Sequence, residues 1–197
     1  MKSRMIVILI VVTMPLACYA LGQAIFTEFT GIQIATGPPL NPGEAKFSCP
    51  GGEPTGVLFP APCTPAGSRV HIRGLNFPYF VQTSDPRFTG YEEATTNCNF
   101  DGWVYAMGPL SGQMWGTVRL EVMKQESSGS WTPTGEVWEG TWTGTRSVTD
   151  GVAQSVSKFV AHGTGGRIEG LQARWTVVLS PTGEEQCEGR ILVPGGK

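Results

Sequence analysis

The sequence predicts an all-β protein: an antiparallel closed barrel of about eight strands with a Pro/Gly-rich loop near the N-terminus. Three observations carry this. Apolar residues recur at every second position through the later two thirds of the chain, the period of a strand with one buried face. Clusters of Gly, Asp, Ser and Pro punctuate those segments at short intervals. No ten-residue window carries a helical period. Regularly spaced short strands with glycine-rich turns mean a sandwich or a barrel, and glycines recurring inside strands, where they ease bending and close packing, favour the barrel.

The chain opens on two positive charges, Lys2 and Arg4, followed by an apolar run from Met5 to Met14, then Pro15 and small residues. This is the order of a secretory signal, and the run is shorter than the roughly 20 residues a membrane span needs. Residues 1–24 therefore read as a signal peptide, with small-x-small cleavage points after Ala20 and after Ala24. A lipoprotein acylated at Cys18 is disfavoured because Pro15 stands where the acylation box carries Leu. The expected location is outside the cytoplasm, secreted or periplasmic, with no membrane attachment after cleavage.

Residues 25–67 form an N-terminal segment and a Pro/Gly-rich loop. Ala24 to Gln33 reads either as a first strand or as a tether. From Thr36 to Gly67 the prolines remove backbone donors and the glycines add chain entropy, which argues against helix or central strand. The barrel domain then occupies residues 68–197. Its strands are expected near 69–75, 78–84, 88–98, 114–125, 136–147, 154–163, 168–180 and 187–194. Val118, Leu120 and Val122 face opposite Thr117, Arg119 and Glu121. Trp138 and Trp142 share a face with Gly140 and Gly144, large side chains fitted beside small ones.

Loss of the signal removes Cys18 and leaves Cys49, Cys63, Cys98 and Cys187, an even set in an exported chain and so candidates for disulfides. Cys49 and Cys63 share the Pro-rich loop, where a bridge would pin a weakly anchored segment. Cys98 ends an early strand and Cys187 begins the last, so barrel closure suggests a second bridge between them. No pair has the C-x-x-C spacing of a zinc or redox site.

The full chain carries a formal charge of −2. Without Lys2 and Arg4, 12 basic residues stand against 16 acidic ones, with no basic cluster, which disfavours nucleic acid as a partner. No nucleophile elbow, zinc-protease pair or phosphate loop is present, and no cofactor or metal is called for. Gly163–Ile168 lacks the final glycine of a dinucleotide fingerprint and reads as a hairpin turn. Asn97–Gly102 matches half of a calcium loop, but its twelfth position is Gly108 rather than a carboxylate, so a strand ending in an Asp-Gly turn is the better reading.

Four side chains are candidates for a ligand site. Lys158 and His162 share one face of their strand opposite Phe159 and Ala161, and Glu188 and Arg190 share one face of the last strand. Each pair is exposed if the intervening apolar residues face the core, and enters the barrel if they do not. Inside, such groups are costly and usually kept for function. Of the six tryptophans, Trp138, Trp142 and Trp175 alternate as core residues, while Trp103, Trp115 and Trp131 lie near turns and are the candidates for an exposed stacking surface.

The segment Ser157–Trp175, with its Gly163–Gly166 turn and Gly170, together with the strand ending Glu188–Ile191, resembles the closing hairpins of the allene oxide cyclase and dirigent-like barrels. Ser84–Gly90 and Glu139–Gly144 are similar to secreted bacterial members of that superfamily. The resemblance covers about residues 70–194 and implies a small antiparallel barrel with a ligand-sized interior. None of the plant enzymes' functional residues can be placed on this chain.

Three functions follow as expectations. The first is an exported barrel that binds a small apolar or aromatic molecule without changing it. The second is a cyclase- or isomerase-type enzyme, whose mark would be a polar group at the base of an otherwise apolar cavity. The third is a surface module for carbohydrate or protein, whose mark would be a flat row of Trp103, Trp115 or Trp131. The oligomeric state is left open.

Overall fold

A computed structural model describes residues 25–48, 69–104, 108–179 and 185–193. The expected signal peptide, most of the Pro/Gly-rich loop, and the expected Cys49–Cys63 bridge lie outside the described residues.

Nine antiparallel strands are present among the described residues: β1 (Ile25–Ala35), β2 (Glu44–Ser48), β3 (Arg69–Thr83), β4 (Gly90–Val104), β5 (Gly108–Gln125), β6 (Trp131–Thr149), β7 (Val152–Thr164), β8 (Gln172–Leu179) and β9 (Glu185–Val193). From β3 to β9 each strand pairs with the next in sequence, as a meander. β1 then pairs with β9 on one edge and with β3 on the other, so hydrogen bonds ring through eight strands. β2 pairs with residues Arg69–Arg73 of β3, beyond the point where β1 stops.

Residues 69–84 were expected as two strands and form one. Gly74, at φ +69°, sits in a bulge between Ile72 and Leu75 that bends the strand without ending it. Pro78 is tolerated because it lies just past the last β1 pair, Ala35 with Tyr79, where its missing donor breaks no ladder bond. Its carbonyl still accepts from the Thr36 amide at 3.0 Å. The segment after Ala35 was expected to be loop, yet Glu44–Ser48, which lacks Pro and Gly, is a strand.

The expected Cys98–Cys187 bridge is corrected by the strand order. Both thiols are free and buried. Cys98 lies on β4 and Cys187 on β9, with β3 and β1 between them, three strand spacings of about 4.8 Å each around the ring. A disulfide needs Cα atoms within about 7 Å. The first strand takes the closing position that the bridge assigned to β4.

Period-two alternation sorts side chains between the two faces. Val118, Leu120 and Val122 of β5, Trp138 and Trp142 of β6, Phe159 and Ala161 of β7, Ala173, Trp175 and Val177 of β8, and Ile191 of β9 are all buried inside the ring. Phe29 stacks on Phe88 with centroids 4.4 Å apart, and Phe88 meets Trp175 edge-on at 4.7 Å. Trp175 stacks on Phe159 at 4.7 Å and Phe159 on Trp142 at 5.5 Å. This aromatic column needs small neighbours. A Cβ on Gly189 would lie 2.6 Å from the Phe29 ring, and one on Gly116 would run into the Thr95 carbonyl and the Trp142 indole.

One end of the ring is plugged by two 3₁₀ turns, Pro86–Phe88 and Gly166–Ile168, which insert the fully buried Phe88 and Ile168. Asp85 caps the first, accepting from the Arg87 amide at 2.9 Å and pairing with its guanidinium at 2.7 and 3.1 Å. Glu136 holds the second, accepting from the Arg167 amide at 2.6 Å and from its guanidinium at 2.7 and 3.0 Å. The Trp138 indole donates to the Arg87 carbonyl at 2.7 Å, tying the plug to the column.

Candidate ligand-binding site

At the opposite end the packing of the described residues stops short. A cavity of about 370 Å³ lies between the last rings of the column, Trp142 and Phe159, and the part-exposed Arg146, Leu179 and Glu185. Its walls are mainly apolar: Ile72, Leu75, Phe77, Phe100, Met114 and Val177 contribute, with Tyr79 and Cys98 among them. A volume of this order suits a small organic molecule.

Polar groups enter the lining from several strands: Thr96 on β4, Arg146 on β6, and Ser155 and Ser157 on β7, besides those on β1, β3 and β9. Gln33, Tyr79, Ala94 and Glu185 all line the cavity. Glu92 lies directly behind them on the inner face, outside the lining itself: it pairs across the strands with Tyr79, precedes Ala94 by one inward position, and accepts from the Gln33 side chain at 2.6 Å. Glu92 is 1 % exposed, and its second carboxylate oxygen has no hydrogen-bond partner among the described residues. Glu185 pairs with Gln33 across β1 and β9.

Their titration follows from this placement. Burial, then the neighbouring Glu185 charge, pushes the Glu92 carboxyl up to about 8, against a smaller downward pull from the Gln33 hydrogen bond. Burial alone pushes Glu185 up to about 7. Tyr79 is held well above the usual phenol range by burial and then by Glu185 and Glu92. Burial raises the Cys98 thiol to about 11, and Arg146 is lowered by burial, with the Cys98 charge opposing. Near neutral pH Glu92 therefore carries a proton and can donate it in a hydrogen bond, or lose it to an incoming positive charge.

The four residues picked from the sequence lie elsewhere. Phe159, Ala161, Cys187 and Ile191 take the inward positions, so Lys158, His162, Glu188 and Arg190 face outward. Lys158, Glu188 and Arg190 share a depression of about 520 Å³ on the outside of β7, β8, β9 and β1, together with Arg174 and Glu28. Arg190 is flanked across the strands by Arg174 and Glu28, and its guanidinium lies 4.9 Å from the centre of the Phe26 ring. His162 is one pair further along, between Glu139 and Gln172. The mixture of charges is that of a solvated sheet face.

Glu92, Gln33 and Glu185 went unnoticed in the sequence. The signal was there for Glu92: Phe88, Ala94, Cys98 and Phe100 share its parity, and all are buried. Asn97–Gly102, the half calcium loop, is part of β4, with Asp101 paired to Arg69 at 3.3 Å. Trp115 is exposed, while Trp131 packs on Phe80 at 5.0 Å. They lie ten residues apart in β5 register (Trp131 opposite Gln125), roughly 33 Å, so these two do not form a row.

Comparison of the chain with protein-family models, with curated proteins and with solved structures returned no match.

Proposed function

We propose that the eight-stranded ring is a closed barrel and that the protein, exported by its N-terminal signal, binds a small apolar or aromatic molecule in the cavity above Trp142 and Phe159. The observation that supports this best is where the packing ends. One end of the ring carries an aromatic column and a plug, whereas the other carries a cavity of about 370 Å³ walled by apolar side chains. A column of stacked rings gives the ligand a rigid apolar floor, and apolar walls with a few polar groups supply affinity and orientation respectively.

A second reading is favoured by Glu92. It lies behind Gln33 at the wall of a mainly apolar cavity, and a carboxyl raised to about 8 is suited to the proton transfer near neutral pH that an isomerase- or cyclase-type enzyme would need. Fold resemblance alone carries no activity. One experiment addresses both readings. The exported protein is purified under native conditions, denatured, and the released small molecules identified by mass spectrometry; the released compound is then returned to fresh protein. Binding and recovery unchanged support the first reading, and conversion to an isomer supports the second. Protein that releases nothing and binds no apolar probe would remove both. N-terminal sequencing of the same material should find Leu21 or Ile25 first; retained Met1 would overturn signal cleavage, and a lipid on Cys18 would overturn the expectation of a lipid-free mature chain.

A further inference from the structure

We propose that the cavity's ligand is an amine: a positively charged nitrogen on an apolar or aromatic body, with Glu185 at the cavity wall and Glu92 directly behind Gln33 supplying the negative charge that receives it. This rests on the reading of the cavity as a small-molecule site. Three features of the site point to a cation. Glu92 is buried with one carboxylate oxygen unpartnered among the described residues, so the fold leaves an acceptor unused. A second carboxyl, Glu185, lines the cavity itself and pairs across the strands with Gln33, the residue that donates to Glu92. The remaining walls carry Phe77, Tyr79, Phe100, Trp142 and Phe159, ring faces that attract a cation once water is excluded.

The groups around Glu92 agree. Tyr79 on β3, Gln33 on β1, and Glu185 and Cys187 on β9 are neutral or acidic. Arg146 on β6 also lines the cavity, but its charge bears on Cys98, and it is not among the groups that shift Glu92 or Glu185. An anionic ligand would meet Glu185 at the wall with Glu92 behind it, and a neutral one would leave their charge uncompensated as they ionise. An ammonium offsets that charge. Its binding should therefore expel a proton from the carboxyl pair, which couples affinity to pH.

The test is calorimetric titration of the exported protein with three probes of one shape: 4-phenylbutylamine, 4-phenyl-1-butanol and 4-phenylbutyrate. The amine should bind at least about tenfold more tightly than either of the others at pH 7. Its affinity should rise by up to about tenfold from pH 6 to pH 7, with proton release seen as a buffer-dependent enthalpy, while the alcohol stays flat. Glu92→Gln should weaken the amine at least about tenfold and change the alcohol by less than about threefold. Glu185→Gln should weaken the amine in the same direction, which guards against a Glu92 variant that fails to fold. Alcohol or butyrate binding as tightly as the amine would overturn the amine assignment and leave the cavity reading standing. No binding by any of the three would overturn the cavity reading itself.

Discussion

The two ends of the ring handle buried carboxyls in opposite ways. At the plugged end, Asp85 and Glu136 are both buried, and each accepts a main-chain amide and two guanidinium bonds from its own arginine. Both are held below the ordinary carboxylate range, Glu136 chiefly by its Arg167 hydrogen bond, and Asp85 by the Arg87 hydrogen bonds and charge, which outweigh a larger opposing burial effect. At the open end, the one side-chain hydrogen bond to Glu92 among the described residues comes from Gln33, and both Glu92 and Glu185 are pushed up. Carboxylates that hold a turn in place come with the cation that makes them stable. A buried carboxyl without one weakens the fold at neutral pH and is more readily understood as kept for a ligand.

The largest stability effect should come from the plugged end's packing. Trp138 is fully buried, touches Phe88 at 5.7 Å between centroids, and donates to the Arg87 carbonyl. Trp138→Ala should destabilise the protein by about 3–5 kcal/mol in denaturant titration, since it opens a cavity and leaves the carbonyl unpaired. The matching truncation at the open end, Met114→Ala, should fall short of that, because Met114 is only partly buried beside the existing cavity. Equal losses at the two positions would mean that the ends are packed alike.

Much of this contrast was written in the alternation of the chain. Val118, Leu120 and Val122, and the Trp138 and Trp142 pair with its glycines, declare their faces because a half-buried strand has a strict period of two. The order of strands around the ring was not legible, because it depends on β1 finding both β3 and β9, a long-range pairing that no local pattern encodes. Hence the expected Cys98–Cys187 bridge failed. Lys158, His162, Glu188 and Arg190 face outward because Phe159, Ala161, Cys187 and Ile191 take the inner positions, a choice that alternation alone leaves open. Glu92 stands beside Glu93, and adjacent acids read as a solvated surface. Its neighbours Ala94, Cys98 and Phe100 place it inside.

The next effect has opposite signs at the two ends. Glu136 and Asp85, with depressed folded values, contribute stability that is present above the unfolded carboxyl range of about 4 and is lost as pH falls below it. Glu92, raised to about 8, stays protonated in the folded state while the unfolded chain ionises, so its contribution declines from pH 4–5 up to about 8, at no more than about 1.4 kcal/mol per unit. Glu185 adds the same trend up to about 7. Stability should therefore peak near pH 5. Arg167→Ala should lower it by about 1–2 kcal/mol at pH 6, a partial loss because that arginine is itself half exposed, with the difference from wild type shrinking towards pH 3. Glu92→Gln should instead flatten the decline and leave the variant more stable than wild type at pH 8 by on the order of 1 kcal/mol. A Glu92→Gln protein that loses stability at pH 8 would show that the carboxyl is held by something other than Gln33.

The smallest effect is expected at the two buried thiols, and it also separates the ends of the cavity wall. Burial raises Cys98 to about 11 and Cys187 to about 12, the latter helped by Glu92 and Glu188, so little thiolate exists at pH 7 and neither side chain is reactive by its own chemistry. Native protein should alkylate slowly at both, and Cys98→Ser or Cys187→Ser should leave the response to reductant unchanged. The two differ in access, however. Cys98 lines the cavity, whereas Cys187 packs in the continuous core. A small uncharged thiol reagent should therefore label Cys98 before Cys187, and a bound cavity ligand should slow the first without touching the second. Non-reducing peptide mapping should recover both as free thiols while testing the expected Cys49–Cys63 bridge in the same digest. Faster labelling at Cys187, or a linked Cys98–Cys187 peptide, would contradict the strand order that puts β1 and β3 between them.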